Sequence, residues 1–431
     1  MLLKCFPVSP FLSKQVNSSI FYVLLENQTQ PRIMSLGKPL PYKFILIACL
    51  FLIADFALEN INHKFQLSDF KVYYEAAHAL TTGKQLYGIP FTLGSGYYKY
   101  APFTALLFYP LSLLPYYIAC VIDFILISAA IVFTAIILLK LFGKYFPENY
   151  IKSPNLILAL GLICIASQLV RELELGNVNV LLLLMLCLSL HFILQHKMIW
   201  AGLFIALVII TKPFFILLLI PLLMRRYFKT ILTICILMAA FFLLPAMFLG
   251  INQDFSLHKE WLNTMLVHAD AFPSPNTIEA VIRNNINSTG ISGFQYIIIV
   301  LFLIPYGLFV ARNIKQGNRN ENKNSQGFIL EWFTLIAIMP SLFKTDTEHF
   351  LMTLPIILYI LIHLFSKRNI PLTILFILLI ILYAGNSSDL LGKELSLKMY
   401  NNGILGISNV LLTAMAIYLF IGNKKKGVAA G

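Results

Sequence analysis

The sequence predicts an all-α polytopic membrane protein with about twelve transmembrane helices, and three observations carry that expectation. Hydrophobic residues make up 59% of the 431 and charged residues only 12%. The mean hydropathy is +0.80. The apolar residues are gathered into separate runs, many close to the roughly 20 residues that a helix needs to cross ~30 Å of hydrocarbon. Such a composition excludes a soluble protein. The net charge of +13 does not point to nucleic acid, because the basic residues are dispersed between apolar runs. Lipid head groups and membrane orientation account for them, and no nucleic-acid partner is expected. The six cysteines (Cys5, Cys49, Cys120, Cys164, Cys187, Cys235) lie in the N-terminal tail or in apolar runs, so no disulfide framework is expected.

Taken in order, residues 1–41 read as a cytoplasmic tail, with Met34 a second candidate start. The run 11–25 is broken by Lys14, Gln15 and Asn17 and is neither a signal peptide nor a span. The first span is 42–58. A large outer loop, 59–101, follows, and 102–115 reads as a short helix dipping into the membrane from outside. The remaining spans are 116–142, 155–170, 178–195, 199–210, 214–224, 230–249, 293–311, 328–343, 350–365, 371–384 and 403–421. Residues 42–422 thus form the membrane domain, and 423–431, with Lys424, Lys425 and Lys426, a basic cytoplasmic tail. With the N-terminus inside, 21 of the 32 Lys and Arg fall in inner segments, although the outer segments are longer in total. That is the bias cytoplasmic loops carry, and an even number of spans returns the C-terminus to the same side.

Five polar stretches interrupt this pattern. Ser68 and Asp69 stand where a helix N-cap belongs. Phe70, Tyr73, Tyr74, Ala77 and Leu80 then recur at helical spacing, and Gly83 is placed to end the helix. The stripe would let this helix lie along the membrane surface with Asp69 near the apolar boundary, either as a cap or as a general base. Lys99-Tyr100-Ala101-Pro102 closes the same loop, where aromatic residues are expected for anchoring alone. In Arg171-Glu172-Leu173-Glu174-Leu175-Gly176-Asn177-Val178-Asn179, the acids either pair with Arg171 and nearby lysines or face a substrate. Asn177 and Asn179 are either helix caps or amide ligands for a sugar. Lys212 sits between 199–210 and 214–224, at the tip of a hairpin whose arms reach roughly 18 Å each. A cation at membrane depth costs several kcal/mol, so Lys212 either snorkels to the interface or faces an anion such as a lipid-linked phosphate.

Lys344-Thr345-Asp346-Thr347-Glu348-His349 is the densest polar cluster. His349 there is structural, an imidazole oriented by Asp346 and Glu348, or a metal ligand. No second ligand has metal-site spacing, so no metal is expected. Asp55, Asp123 and Glu331, in or near spans, read as interhelical partners. There is no Walker loop, dinucleotide fingerprint or serine nucleophile elbow.

Several of these pieces, in this order, resemble glycosyltransferase family 87. They are Asp69-Phe70-Lys71-Val72-Tyr73-Tyr74, Leu86-Tyr87, Tyr100-Ala101-Pro102-Phe103, Pro110-Leu111-Ser112-Leu113-Leu114-Pro115 and Gly176-Asn177-Val178-Asn179. Further on come Ala201-Gly202 through Lys212-Pro213, Arg225-Arg226, and His349-Phe350 ahead of Leu354-Pro355. Tyr100-Ala101-Pro102 stands where the family has an aromatic residue and two prolines, Phe350 where it has Tyr, and the run after Asn276 departs from its Asn-Gln-Ser.

The resemblance implies a GT-C fold, with interfacial helices in the first outer loop. It also implies transfer of a sugar, typically mannose, from a polyprenyl phosphate to a lipid- or glycan-linked acceptor on the outer face of the membrane. By position it makes Asp69 and His349 the catalytic candidates and Lys212 a donor ligand. Attack by an acceptor hydroxyl on a polyprenyl-phosphate sugar can proceed in one inverting step. It needs a base and cations on the departing phosphate, here Lys212 helped by Arg171, Arg283 or Lys344. Lys99, Tyr100, Glu172, Asn177, Asn179, Asp346 and Glu348 complete the expected substrate-binding set. No cofactor is expected, because the lipid-linked donor is itself a substrate. The expected location is the bacterial cytoplasmic membrane. A transporter or flippase of lipid-linked sugar is the alternative, and a non-catalytic assembly protein a third reading.

Overall fold

The computed structural model describes residues 41–92, 96–146, 153–271, 274–286, 293–317 and 321–429. The expected tail therefore lies outside the described residues up to position 40. The helices, in chain order, begin with α1 (Tyr42–Ile61), α2 (Ser68–Thr81), α3 (Pro102–Ser112), α4 (Tyr116–Tyr145), α5 (Pro154–Cys164) and α6 (Ala166–Leu175). Next come α7 (Asn179–Leu194), α8 (Met198–Thr211), α9 (Leu219–Met224), α10 (Phe228–Leu243), α11 (Ala246–Leu249), α12 (Ile251–Ala271) and α13 (Ile278–Ile286). The last are α14 (Phe294–Gly317), α15 (Glu321–Leu342), α16 (Leu354–Lys367), α17 (Ile370–Ala384), α18 (Ser388–Leu391), α19 (Lys393–Asn401) and α20 (Ile404–Ala429). Two 3-10 segments, Pro213–Leu218 and Thr347–Thr353, precede α9 and α16. Among the described residues the only β contact is an isolated bridge between Pro90 and Tyr97.

Seven of the described segments are long and apolar enough to cross a membrane: Tyr42–Ile61, Tyr116–Tyr145, Phe228–Leu249, Phe294–Gly317, Glu321–Leu342, Thr347–Lys367 and Ile404–Gly422. The protein is thus an all-helical polytopic membrane protein. The run 155–170, read as one span, is a pair: α5 and α6 meet at an angle of 68°. The break falls where composition changes, since Gln168, Arg171, Glu172 and Glu174 belong to the second half. Bending lets that half bury one face (Gln168, Leu169, Glu172, Leu173) in protein rather than expose charge to lipid. The other apolar segments (α7, α8, Pro213–Met224 and α17) are shorter.

The centre of the bundle is α15, with Phe328, Trp332 and Phe333 fully buried, whereas α1, α10 and α14 present apolar faces outward. Lipid offers little hydrophobic drive for helix association, so close packing and polar contacts must hold such helices together. Arg225, just after α9, clamps Glu331 of α15 through Nε and Nη2, both at 2.8 Å, and donates Nη1 to Asn324 Oδ1 at 2.6 Å. Asn409 of α20 donates to the Ala337 carbonyl (2.8 Å) and Ser341 Oγ (2.9 Å), and accepts from Thr353 Oγ1 (2.6 Å). The last contact fixes the end of the second 3-10 segment. Glu331, read as an interhelical partner, is one.

Both 3-10 segments arise from proline. Lys212 is extended (φ −132°, ψ 95°), as the residue before a proline prefers, and this ends α8. Pro355 has no N–H to offer the carbonyl four residues back, so α16 cannot extend backwards and the preceding turn tightens. The two breaks bring irregular backbone to the same place, which a membrane protein tolerates where it lines a cavity.

Candidate active site

The cleft is built from the start of α2, the 97–100 segment, the α6–α7 junction, the α8 break, and the second 3-10 segment with the residues just before it. It opens as a cavity of about 150 Å³ lined by Asp69, Tyr73, Tyr97, Lys99, Tyr100, Asn177, Thr211, Lys212, Phe214, Met265, Lys344, Asp346 and His349, among others. Two further cavities, on α1 against α4, α5 and α6, are lined by no charged side chain.

Asp69 reaches the cleft in a way the sequence does not suggest. It is the second residue of α2 and caps nothing: the residue before the helix, Leu67, is left-handed (φ 43°), and no side chain caps the turn. Tyr116 of α4 holds that entry by donating to the carbonyls of Gln66 and, at 3.3 Å, Leu67. The Phe70–Tyr73–Ala77–Leu80 stripe is buried in protein rather than laid on the membrane surface. Gly176 makes this approach possible. At φ 65° it ends α6, and a Cβ there would lie 2.8 Å from Phe70 Cβ and 3.0 Å from Leu67 Cβ. The next residue, Asn177, then donates Nδ2 to Asp69 Oδ2 at 2.6 Å. The Asn177 Oδ1 accepts from Val178 N (2.7 Å) and Tyr73 OH (3.3 Å), which fixes the amide orientation and leaves Asp69 Oδ1 to the cleft. Tyr73 OH in turn lies 3.1 Å from Tyr100 OH.

The second constellation is a chain of polar contacts across four elements. Glu172 accepts from Val180 N (2.9 Å) at the start of α7 and from Asn179 Nδ2 (2.8 Å). It thus caps α7 from the preceding helix, where a carboxylate also meets the positive end of the helix dipole. Asn179 Oδ1 accepts from Lys212 Nζ at 2.5 Å. Lys212 Nζ lies 2.5 Å from His349 Nε2. A protonated lysine needs the lone pair there, so the imidazole is neutral and carries its proton on Nδ1, 3.4 Å from Glu348 Oε1. Lys212 is only 5% exposed, so it does not snorkel to solvent.

The charges of the cleft act on one another. Burial pushes the Asp69 carboxyl up to about 6, with Glu348 and Asp346 adding to the rise and Lys99 and Lys212 opposing it. Burial, then Glu348, also raises Asp346. Burial lowers Lys99, against the pull of Asp346 and Asp69. A carboxylate raised toward neutrality is a stronger base than an exposed one and still ionised at pH 7.

Of the expected residues, the structure brings Asp69, Lys99, Tyr100, Asn177, Lys212, Lys344, Asp346 and His349 to the cleft, with Glu172, Asn179 and Glu348 behind it. Arg171 and Arg283 are not among its lining residues. Arg171 pairs with Glu174 at 3.5 Å, and Arg283 with Glu279 at 2.8 Å on its own helix, α13. The sequence reading missed Tyr73, Tyr97, Phe214 and Met265. Tyr73 carried the same helical spacing as the buried stripe, which hid its hydroxyl. Met265 belongs to α12 and lies on the side of that helix that faces the protein. No group of three or more His, Cys, Asp or Glu among the described residues could hold a metal ion.

The cleft of this polytopic membrane protein gathers irregular backbone, three lysines (Lys99, Lys212, Lys344) and two carboxylates (Asp69, Asp346), and ionisable groups so placed in a membrane protein mark a functional site. Glycosyltransferase family 87 matches residues 98–337, more than half of the chain. The chain belongs to that family and is a glycosyltransferase. No curated protein matches it.

Proposed function

We propose that the protein moves a hexose, mannose favoured, from a polyprenyl-phosphate sugar to a hydroxyl of a lipid- or glycan-linked acceptor, with inversion. In this reading twelve helical segments cross the membrane in a GT-C arrangement, both termini are cytoplasmic, and the cleft opens on the outer side. The positive-inside count supports that orientation. The membrane would be the bacterial cytoplasmic membrane.

The observation that carries the proposal is a carboxylate with one oxygen held and one presented, sharing a cleft with the buried Lys212. Asp69 takes the proton of the acceptor hydroxyl as that oxygen attacks the anomeric carbon. Asn177 holds the carboxylate so that its other oxygen faces the acceptor. Lys212, with Lys99 and Lys344, stabilises the phosphate as the glycosidic oxygen leaves with the electron pair. His349, accepting from Lys212 on Nε2, keeps that cation aimed and is the second candidate base, available only when the lysine turns to the phosphate. Tyr73, Tyr97 and Tyr100 give the sugar aromatic walls and hydroxyl partners.

The test is reconstitution in nanodiscs with either polyprenyl-phosphate mannose or a nucleotide-activated mannose, and a membrane lipid extract as acceptor. Transfer from the polyprenyl donor alone supports the reading. Transfer from the nucleotide sugar alone overturns the donor class.

A further inference from the structure

Helix α12 (Ile251–Ala271) has three kinds of surface rather than two. At 100° per residue, Asp254, Leu257, Trp261 and Met265 fall on one side and are buried or half-buried against the protein. Polar side chains, Asn252, Ser256, Glu260 and Asn263 among them, occupy the opposite side and are exposed. Between the two, within an arc of about 60°, lie Ile251, Phe255, Leu262 and Leu266. These four are 49%, 64%, 56% and 64% exposed. A helix in water has no use for such a stripe, and one fully packed in protein would bury it.

What covers the stripe follows from its neighbours. The helix begins directly after Gly250 (φ 81°) at the end of the span Phe228–Leu249 and turns back over it. His258 and Trp261 contact the ring of Phe242, at centroid distances of 4.8 and 6.1 Å. Phe242 is seven residues before Leu249, so about 10 Å below the end of that span. The middle of α12 therefore sits at the depth of the span's last turns. Near the end of that span Leu243, Met247 and Phe248 are exposed as well. On the buried side Trp261 Nε1 donates to the Lys99 carbonyl at 3.1 Å, and Met265 lines the cleft.

We propose that α12 lies in the bilayer leaflet on the cleft's side, with lipid acyl chains on Phe255, Leu262 and Leu266, water on its polar side, and Lys99 held from its inner side. The site would then share a wall with the lipid that carries its substrates. An amphipathic helix of this kind buries its apolar face at the head-group boundary.

The experiment uses the full-length protein in nanodiscs of phosphatidylethanolamine and phosphatidylglycerol. Nitroxides are placed one at a time through Phe255→Cys, Leu262→Cys and Leu266→Cys, and through Asn252→Cys, Ser256→Cys and Asn263→Cys, with the parent protein's own cysteines as background. Collision with oxygen, which concentrates in lipid, is compared with collision with an aqueous nickel chelate. The proposal expects oxygen to dominate at the first three positions and nickel at the second three. Because all six side chains are exposed, the labels leave the core intact. Nickel dominating at all six puts the stripe in water and overturns the proposal. Restricted access for both reagents at 255, 262 and 266 means a protein covers the stripe, a second copy included, and overturns it equally.

Discussion

Replacing Asp69 by Asn removes one charge and little else. Asn177 Nδ2 donates to Asp69 Oδ2 at 2.6 Å, and the amide oxygen of Asn can accept the same bond, so the side chain keeps its place. No helix cap is lost, because Asp69 caps nothing. With the carboxyl raised to about 6, it is almost wholly ionised at pH 7.5, so the parent enzyme runs with its base in the active form. Losing a general base costs about 10²–10⁴-fold, or roughly 3–5 kcal/mol in the barrier. The assay is transfer of labelled mannose from polyprenyl phosphate by protein in nanodiscs, beside binding of the donor at equilibrium. The expected result is turnover down by that factor with donor affinity within a few-fold of the parent. Turnover near the parent's would remove Asp69 as the base. If His349→Ala then binds donor normally but fails to turn over, the base is His349.

Three other outcomes follow from the same geometry. Lys212→Ala removes the buried cation and should weaken donor binding by about tenfold or more, while the detergent-purified protein stays monodisperse. Unchanged donor affinity would take Lys212 out of the phosphate site. Because the Asp69 carboxyl is raised from 3.8 to about 6 and only its ionised form accepts a proton, kcat/KM should rise through that pH to a plateau near neutrality. It should fall tenfold per unit below that pH. A limb near 4 would contradict the burial argument, as would a limb near 6 that survives in Asp69→Asn. Glu331→Ala strands Arg225 without its carboxylate inside the bundle, which should cost about 3–5 kcal/mol and lower the midpoint of thermal unfolding. An unchanged midpoint would show that the pair contributes nothing to the fold.

The membrane class was legible because a span leaves its mark in local composition. Each described segment read as a span is helical, and Lys212 stood out because a lone cation between two apolar runs needs a reason. What stayed hidden depends on contacts between residues far apart in sequence. The sequence leaves Asp69 either a cap or a general base, because Ser-Asp before an apolar stripe fits a cap while the family resemblance makes the residue catalytic. Only the approach of Asn177, 108 residues away, gives the carboxylate a different partner. The 68° bend between α5 and α6 stays hidden because the run 155–170 carries no proline or charge at the break. Arg283 has only its charge to place it at a phosphate, and its partner Glu279 stands one helical turn away in the same sequence. Such i,i+4 pairs can be read beforehand. The tertiary contacts of Asn179, Lys212 and His349, by contrast, required the fold.

The most direct test of the central claim is the position of a polyprenyl monophosphate bound to this protein, determined by electron cryo-microscopy in nanodiscs. The account predicts phosphate oxygens within hydrogen-bond distance of Lys212 Nζ and close to Lys99 or Lys344, with Asp69 Oδ1 on the other side of the space left for the sugar. A phosphate seated away from Lys212, with the Asp69 cleft empty, would contradict it.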